Sequence, residues 1–376
     1  MALVLRLCPE GIVMRTGTIA VGTGSAAGSE RLHLSALTSI RTTVARLCLM
    51  AALSPLAACA SSSSTTAPSP ESADDTSKAA APLTAPAAQR GPILDTHIHL
   101  YQVTRPGGVV WPEAKQKPIY RDVLPDEYQA IAMQNGIVGT GVVEASPVVE
   151  DNFKVLEMMK GNGFFKFLVA QLEIGSPTFS ADLARLAADP RVVGIRGFLW
   201  SPKLTLDEKQ LASLEELAAK GMTLDIISRG TLNPKDKVEA LATAVPKLRI
   251  IIDHLAGARG ATPDPAWVDA MQRLAKHPNI YIKFSSFFDM YNPAATEDDP
   301  WSAPTDVAAY KAHFDVLMSS FGEDRLIWGS NWPVVDMGGS LASEIAIAEV
   351  YLKELGQGVR DKVMYTNAQK FYARRP

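Results

Sequence analysis

From residue 91 onward the sequence predicts a single (β/α)8 barrel, and three observations carry that prediction. Eight short apolar runs alternate with longer amphipathic stretches over roughly 280 residues, near the roughly 250 residues usual for eight such units. Strands separated by helical crossovers pair in parallel. Nearly every run ends in a polar or ionisable side chain, and in a barrel the C-terminal ends of the strands form one working face.

The first strand is read over Ile93–His97. A long loop, Tyr101–Asp122, follows; its Trp111, Pro112, Tyr120 and Arg121 suit a segment that lines or covers a barrel mouth. Pro125 opens a helix that runs to Asn135, proline being well placed in a first helical turn. Strand two spans Ile137–Ala145 and carries Glu144, helix Asn152–Lys160 comes next, and strand three, Phe164–Gln171, ends in a glutamine. Helix Ser180–Ala188 leads to strand four, Val192–Phe198, with Arg196 inside it. Helix Leu206–Lys220 leads to strand five, Met222–Ile227, with Asp225. Strand six is read over Arg249–His254, followed by helix Pro265–Lys276 and strand seven, Ile280–Ser285, with Lys283. A second long loop holds Glu297-Asp298-Asp299 and Trp301, and strand eight, Arg325–Ser330, precedes Asn331. The helical stretches carry apolar residues at three- and four-residue spacing. A doubly wound sheet would place a glycine-rich nucleotide turn after strand one, where this chain has Asp95-Thr96-His97-Ile98-His99.

The N-terminal quarter reads differently. Arg41 and Arg46 precede an apolar segment, Leu47–Leu53, which ends in Leu56-Ala57-Ala58-Cys59 and is too short to span a bilayer. This stretch resembles the signal and lipobox of bacterial lipoproteins, which makes residues 1–58 a removed signal region and Cys59 the acylated N-terminus. Residues 1 to about 37 do not read as a signal's basic head, which suggests a translation start near Leu37. Residues 59–90, rich in Ser, Ala and Pro, read as a disordered tether, with residues 91–376 as the barrel. Cys8 and Cys48 fall in the removed part, so no disulfide is expected in the mature barrel. The expected location is the periplasmic side of a membrane, and Ala60 after the cysteine resembles sorting to the outer one. A net charge of -3 and the absence of a Lys/Arg cluster give no reason to expect nucleic acid. Membrane contact is expected through the lipid alone, and nothing in the sequence sets an oligomeric state.

His97 and His99 are two residues apart, so on a strand they project to one face, and Asp95 alternates onto it and could orient a ring. A buried imidazole pair is costly without a metal, a substrate or fixed hydrogen-bond partners. Glu144, Gln171, Arg196, Asp225, Asp253, His254, Lys283, Ser285, Ser330 and Asn331 converge on the same end of the barrel. Adjacent residues on an extended strand point apart, so of Asp253 and His254 one serves structure, and His254 is favoured for the site. The Arg196 fork suits a carboxylate, which could belong to a substrate or to Glu144 or Asp253. Lys283 fits either a substrate contact or a carboxylate pair inside the barrel, and Asp225 either the site or a helix cap. Asp336, in a loop with Gly338 and Gly339, fits a lid or a turn, and His277 and His313 fall in helices as surface residues.

The ordered set Asp95–His99, Val143-Glu144-Ala145-Ser146, Gly194-Ile195-Arg196-Gly197, Asp253-His254-Leu255-Ala256-Gly257, Ile282-Lys283-Phe284-Ser285, Trp328-Gly329-Ser330-Asn331-Trp332-Pro333 and Asn367–Tyr372 resembles the amidohydrolase superfamily. The likeness is to its amidohydrolase-related branch, with lactonases acting on 2-pyrone-4,6-dicarboxylate, fuconolactone and rhamnonolactone and, more distantly, non-oxidative decarboxylases. The resemblance implies a divalent metal on the strand-one histidines and a ligand or proton-transferring aspartate from strand eight. Asn331 stands in that place and cannot take a proton. Three readings stay open. One is a mononuclear zinc site of His97, His99 and Glu144, with or without His254, and with Asp253, Asp336 or metal-bound hydroxide as base. Another is a metal-free hydrolase in which His97, His99 and His254 polarise a carbonyl and Glu144 activates water. The last is a tethered barrel that binds a ligand without turnover. The expected function is opening a lactone of a sugar acid or aromatic-degradation intermediate, an acidic or sugar-like small molecule contacted by Arg196, Lys283, Asn331 and Asp253. A metal-dependent decarboxylase is the rival enzyme.

Overall fold

Eight parallel strands form one sheet in strict sequence order: β1 (Ile93–Ile98), β2 (Ile137–Val143), β3 (Phe165–Gln171), β4 (Val192–Phe198), β5 (Thr223–Ile227), β6 (Arg249–Ile252), β7 (Ile280–Ser285) and β8 (Leu326–Gly329). The computed structural model describes residues 91–144, 146–198, 205–227, 234–293 and 299–374. The signal region, the tether, Cys59, Ala145, Glu297 and Asp298 lie outside the described residues. The sheet is drawn together at the mouth, where the Asn331 N–H donates to the His97 carbonyl (2.8 Å) and the His99 N–H to the Trp332 carbonyl (2.9 Å). The chain therefore forms the single (β/α)8 barrel that its alternating pattern predicts.

The helices are α1 (Pro125–Gln134), α2 (Val149–Met158), α3 (Phe179–Ala187), α4 (Glu208–Ala219), α5 (Pro234–Ala244), α6 (Pro265–Leu274), α7 (Lys311–Phe321), α8 (Leu341–Leu355), α9 (Gln357–Asp361) and α10 (Asn367–Phe371). Their starts follow local chemistry. Proline opens α1 and α6, and the Asp264 carboxylate accepts the Ala266 and Trp267 N–H groups that begin α6. Asp207 accepts the Gln210 N–H at the head of α4, and Ser340 and Ser343 cap α8 reciprocally. The longest helix among the described residues, α8, departs from a simple amphipathic pattern, because it buries Glu344 and Glu349 alongside Leu341, Ile345, Tyr351 and Leu352. No helix among the described residues is long and apolar enough to cross a membrane.

The strands separate two cores. Ile93, Ile98, Leu168, Ile195, Ile250 and Phe284 pack outward under the helices. Leu94, Val143, Phe167, Val169, Val193, Ile251 and Ile327 fill the interior, so both faces are buried and the strands read as nearly continuous apolar runs. Ala368, Phe371 and Tyr372 of the C-terminal segment join this interior cluster, and the Tyr372 ring stacks on Phe167 at 4.4 Å. Gly141 makes room for that arrangement: a Cβ there would lie 2.0 Å from the Phe167 ring.

A candidate active site at the barrel mouth

The site is built on an irregular first strand. The β1–β2 register shifts between Asp95 and Ile98, which breaks the simple alternation. Asp95 therefore orients no imidazole, contrary to the sequence reading. Its carboxylate accepts the His97 N–H (3.1 Å), the Ser330 N–H (2.9 Å) and the Tyr128 hydroxyl (2.6 Å), tying β1 to the end of β8 and to α1. The lack of a side chain at Gly329 lets β1 approach, since a Cβ there would be 3.0 Å from that of His97.

Beside His97 lies a wholly buried charged cluster. Lys283 Nζ, on β7, is 2.7 Å from Asp225 Oδ2, 3.2 Å from Asp253 Oδ1 and 3.3 Å from His97 Nδ1. Burial alone would lower the pKa of the lysine, but the two aspartates outweigh it and keep it an ammonium. Burial likewise pushes Asp253 up, yet Lys283 and His97 hold it well below the usual carboxylate range. Asp225 is raised, with burial exceeding the pull of Lys283. Of the two roles the sequence left open for Lys283, the carboxylate pair inside the barrel is the one the structure shows. Asp225 caps no helix; it accepts from Lys283 and from the Tyr372 hydroxyl (2.7 Å).

Asp253 and His254 both reach the site, which corrects the expectation that one must point away. The Asp253 N–H still pairs with the Ile226 carbonyl, but His254 has φ 57°, so the chain has already left the extended strand. Asp253 Oδ1 lies 3.6 Å from His97 Nδ1, and the His254 ring lies 4.6 Å from that of His97 and bonds Ser285 Oγ at 3.0 Å. Arg196 Nε is 3.9 Å from Asp253 Oδ2, the structural pair that the sequence left open.

His99 is held differently. Its Nδ1–H donates to the Val143 carbonyl (2.7 Å), and Nε2 lies 3.2 Å from the Asn331 side chain, whose amide in turn donates to Ser286 Oγ (2.7 Å). Asn331 and Ser286 both adopt left-handed backbone, φ 59° and 57°. Conformations of that kind persist where surrounding structure over-determines them, often at working sites. Behind Ser286 sits Glu344, which the sequence did not single out. It is fully buried on α8, accepts the Phe287 N–H, and burial pushes its pKa well above the usual carboxylate value. A lone glutamate in a helix carries no signal that distinguishes it from a solvated one.

Among the described residues, His97, Asp253 and His254 are the group that could hold a metal ion, their ligand atoms lying within 4.8 Å of one another. The expected set of His97, His99 and Glu144 is not what converges. His99 spends its ring proton on the Val143 carbonyl and keeps Nε2 as a lone pair beside Asn331 Oδ1, and Glu144 Oε1 accepts the Ser146 N–H (2.7 Å) beside a cavity of about 20 Å³ that His99, Trp111 and Ser146 also line. Asp336 lies in the turn Val334–Met337 and bonds to the Trp332 side chain, and burial pushes its pKa up to about 6. The Tyr101–Asp122 loop does cover the mouth: Trp111 packs on His99 (5.0 Å) and Tyr101 (5.5 Å). His313, read as a surface residue, is buried in α7 against Trp267, and His277 sits half-buried in the turn after α6.

All three site histidines are uncharged near neutrality. Burial, then Lys283, holds His97 well below its ordinary value. Burial, then Arg196, brings His99 to about 3, and burial brings His254 to about 3 despite Asp253. As pH falls, the unfolded chain therefore takes up these protons first. The stability they supply is complete above pH 6.5 and is lost as pH falls below it, down to about 3 for His99 and His254, at up to about 1.4 kcal/mol per pH unit for each of those two. Urea midpoints at pH 7 and pH 5 check this; equal midpoints would contradict it. Uncharged imidazoles beside a buried ammonium and a guanidinium can polarise a carbonyl oxygen and stabilise negative charge that develops on it.

The family description Amidohydrolase matches residues 94–374. An L-fucono-1,5-lactonase of Burkholderia ambifaria is 30% identical over 293 residues, covering 74% of this chain and 94% of that protein. An L-rhamnono-gamma-lactonase of Scheffersomyces stipitis is 28% identical, with 74% and 98% covered. Among solved structures, an amidohydrolase from Burkholderia multivorans with bound zinc superposes with a TM-score of 0.67 at 19% identity, covering 76% of this chain and all of that one. A probable 2-pyrone-4,6-dicarboxylic acid hydrolase from Acinetobacter baumannii gives 0.58 at 15% identity, with 74% and 98% covered.

Proposed function

The chain belongs to the amidohydrolase family, and on that premise we propose that it is an ester-bond hydrolase that opens the lactone of a sugar acid. The observation that carries this reading is the group of uncharged, buried histidines at the mouth, with His97 Nε2 lacking a hydrogen-bond partner among the described residues. A buried polar nitrogen without a partner costs about 1–3 kcal/mol, and a substrate carbonyl oxygen is a group that would satisfy it. In this reading His97 and His254 polarise the carbonyl. Glu144 accepts a proton from a water, for which the small cavity beside it has room, and that water adds to the carbonyl carbon. The ring C–O bond then breaks and the ring oxygen takes up a proton, leaving a hydroxy acid. Arg196, oriented by Asp253, faces an acidic or hydroxylated part of the substrate, and Asn331 lies beside His99 without moving a proton. Proton release by the full chain against aldonolactones, with 2-pyrone-4,6-dicarboxylate alongside, tests the proposal. Turnover of sugar lactones is expected. Carbon dioxide release from aromatic acids, or tight lactone binding without turnover, would overturn it.

We propose in addition that Cys59 carries lipid and anchors the barrel to the periplasmic side of a bacterial membrane, a reading supported by Leu56-Ala57-Ala58-Cys59 after a short apolar segment. Radiolabelled palmitate should enter the protein and be lost in Cys59→Ser; normal labelling of that variant would refute it.

A further inference from the structure

Two of the three donors that could hold a metal already face a cation. His97 Nδ1 and Asp253 Oδ1 lie 3.3 and 3.2 Å from Lys283 Nζ, and Asp225 Oδ2 completes the surround at 2.7 Å. An imidazole nitrogen and two carboxylates are the partners a divalent ion selects, yet here they enclose an ammonium with no exposed surface. Two groups face His97 Nδ1: Lys283 Nζ at 3.3 Å, within hydrogen-bond distance, and Asp253 Oδ1 at 3.6 Å, beyond it. Lysine can only donate hydrogen bonds, so toward this nearer partner Nδ1 presents its lone pair. A neutral imidazole has one ring proton, which is thereby assigned to Nε2, the buried atom with no partner. Binding a metal through Nε2 would require moving that proton to Nδ1, where it would meet the ammonium, donor against donor. The donor set does not fit a divalent ion while Lys283 is in place.

We propose that Lys283 is a positioning residue, a resident cation that fills the metal's place and sets His97 as an N–H donor toward the reacting carbonyl. This rests on the lactonase reading only for the identity of that carbonyl. The clamp on the lysine continues through the fold: Asp225 Oδ2 also accepts the Tyr372 hydroxyl, delivered by the C-terminal segment that fills the barrel interior. That segment thus reaches, through one carboxylate, the residue that sets the histidine. The lysine's role is orientation, since its ammonium is taken up by His97 and the two aspartates.

The test uses the full-length, chelator-treated protein and zinc alone. Calorimetry should detect no stoichiometric zinc at this site, and nitrogen-15 spectra of histidine-labelled protein should show His97, assigned by its loss in His97→Gln, protonated at Nε2. Lys283→Met removes the cation and keeps the stem; it should take up one equivalent of zinc, and adding His97→Ala should abolish that uptake. One equivalent of zinc bound by the native protein and lost in His97→Ala would overturn the proposal, as would a His97 protonated at Nδ1. The two native-protein measurements decide the matter even if the lysine variant does not fold. They are also independent of turnover: a protein silent on every lactone that still refuses zinc and shows the Nε2–H form upholds this inference while the lactonase reading fails.

Discussion

Replacing His97 by alanine is expected to lower kcat/KM for lactone hydrolysis by about 100- to 1,000-fold, the cost of removing one preorganised donor from a developing oxyanion. The circular dichroism spectrum should be unchanged. His97 has no exposed surface, and its Nε2 has no protein partner, so the alanine leaves no new unsatisfied group on that side of the ring. On the other side, Lys283 loses its contact with Nδ1 but keeps Asp225 and Asp253, so the charged cluster remains compensated. The fold should survive while the chemistry does not. The loss should fall on kcat more than on KM, because the hydrogen bond strengthens as charge grows on the carbonyl oxygen. Steady-state kinetics on the lactone turned over best by the native protein checks this; turnover within tenfold of native would remove His97 from the mechanism.

Arg360→Ala should produce the largest loss of stability, about 3 kcal/mol, the lower end of what breaking a buried ion pair costs. The Arg360 Nε and Nη2 groups donate to Glu349 Oε1 at 2.9 and 2.6 Å, and Nη1 donates to the Pro92 carbonyl at 2.8 Å. Both side chains are buried, so truncation strands a carboxylate and frees the start of β1 from the helices that close the chain. Lys353 stays 2.8 Å from Glu349 Oε2 and limits the damage. Thermal unfolding should fall by about 10 °C, taking roughly 2–4 °C per kcal/mol for a domain of this size. A shift under 2 °C would show that the pair contributes little. Because Arg360 bonds the residues that precede β1, at the opposite end of that strand from His97 and His99, activity per folded molecule should be unchanged.

The barrel was legible because its evidence is repetitive. Eight apolar runs, most ending in a polar residue, are a pattern that no single irregular residue can hide, and the strand bounds agree within a residue or two at most positions. The family was legible because collinear motifs from His97 to Tyr372 accumulate. What failed were arguments from ideal geometry. Alternation on β1 made Asp95 an orienter of a ring, and the register shift turned it to Tyr128 and Ser330 instead. Alternation on β6 separated Asp253 from His254, and left-handed backbone at His254 brought them together. Glu344 and Tyr372 acquired their partners from segments far away in sequence, so no local pattern could announce them.

By itself, then, the sequence determined the fold class, the end of the barrel that carries the chemistry and most of the residue types found there, since these follow from periodicity and order. Only the tertiary structure decided which side chains meet. Lys283, Asp225 and His97 come from three strands and Asp253 from the residue after a fourth, and whether they enclose a metal, a substrate or one another depends on distances of a few ångströms. Those distances are set by a bulge, a turn of backbone and a plug at the chain's end, and electrostatic energy in a buried site varies steeply over such a range while sequence periodicity does not register it.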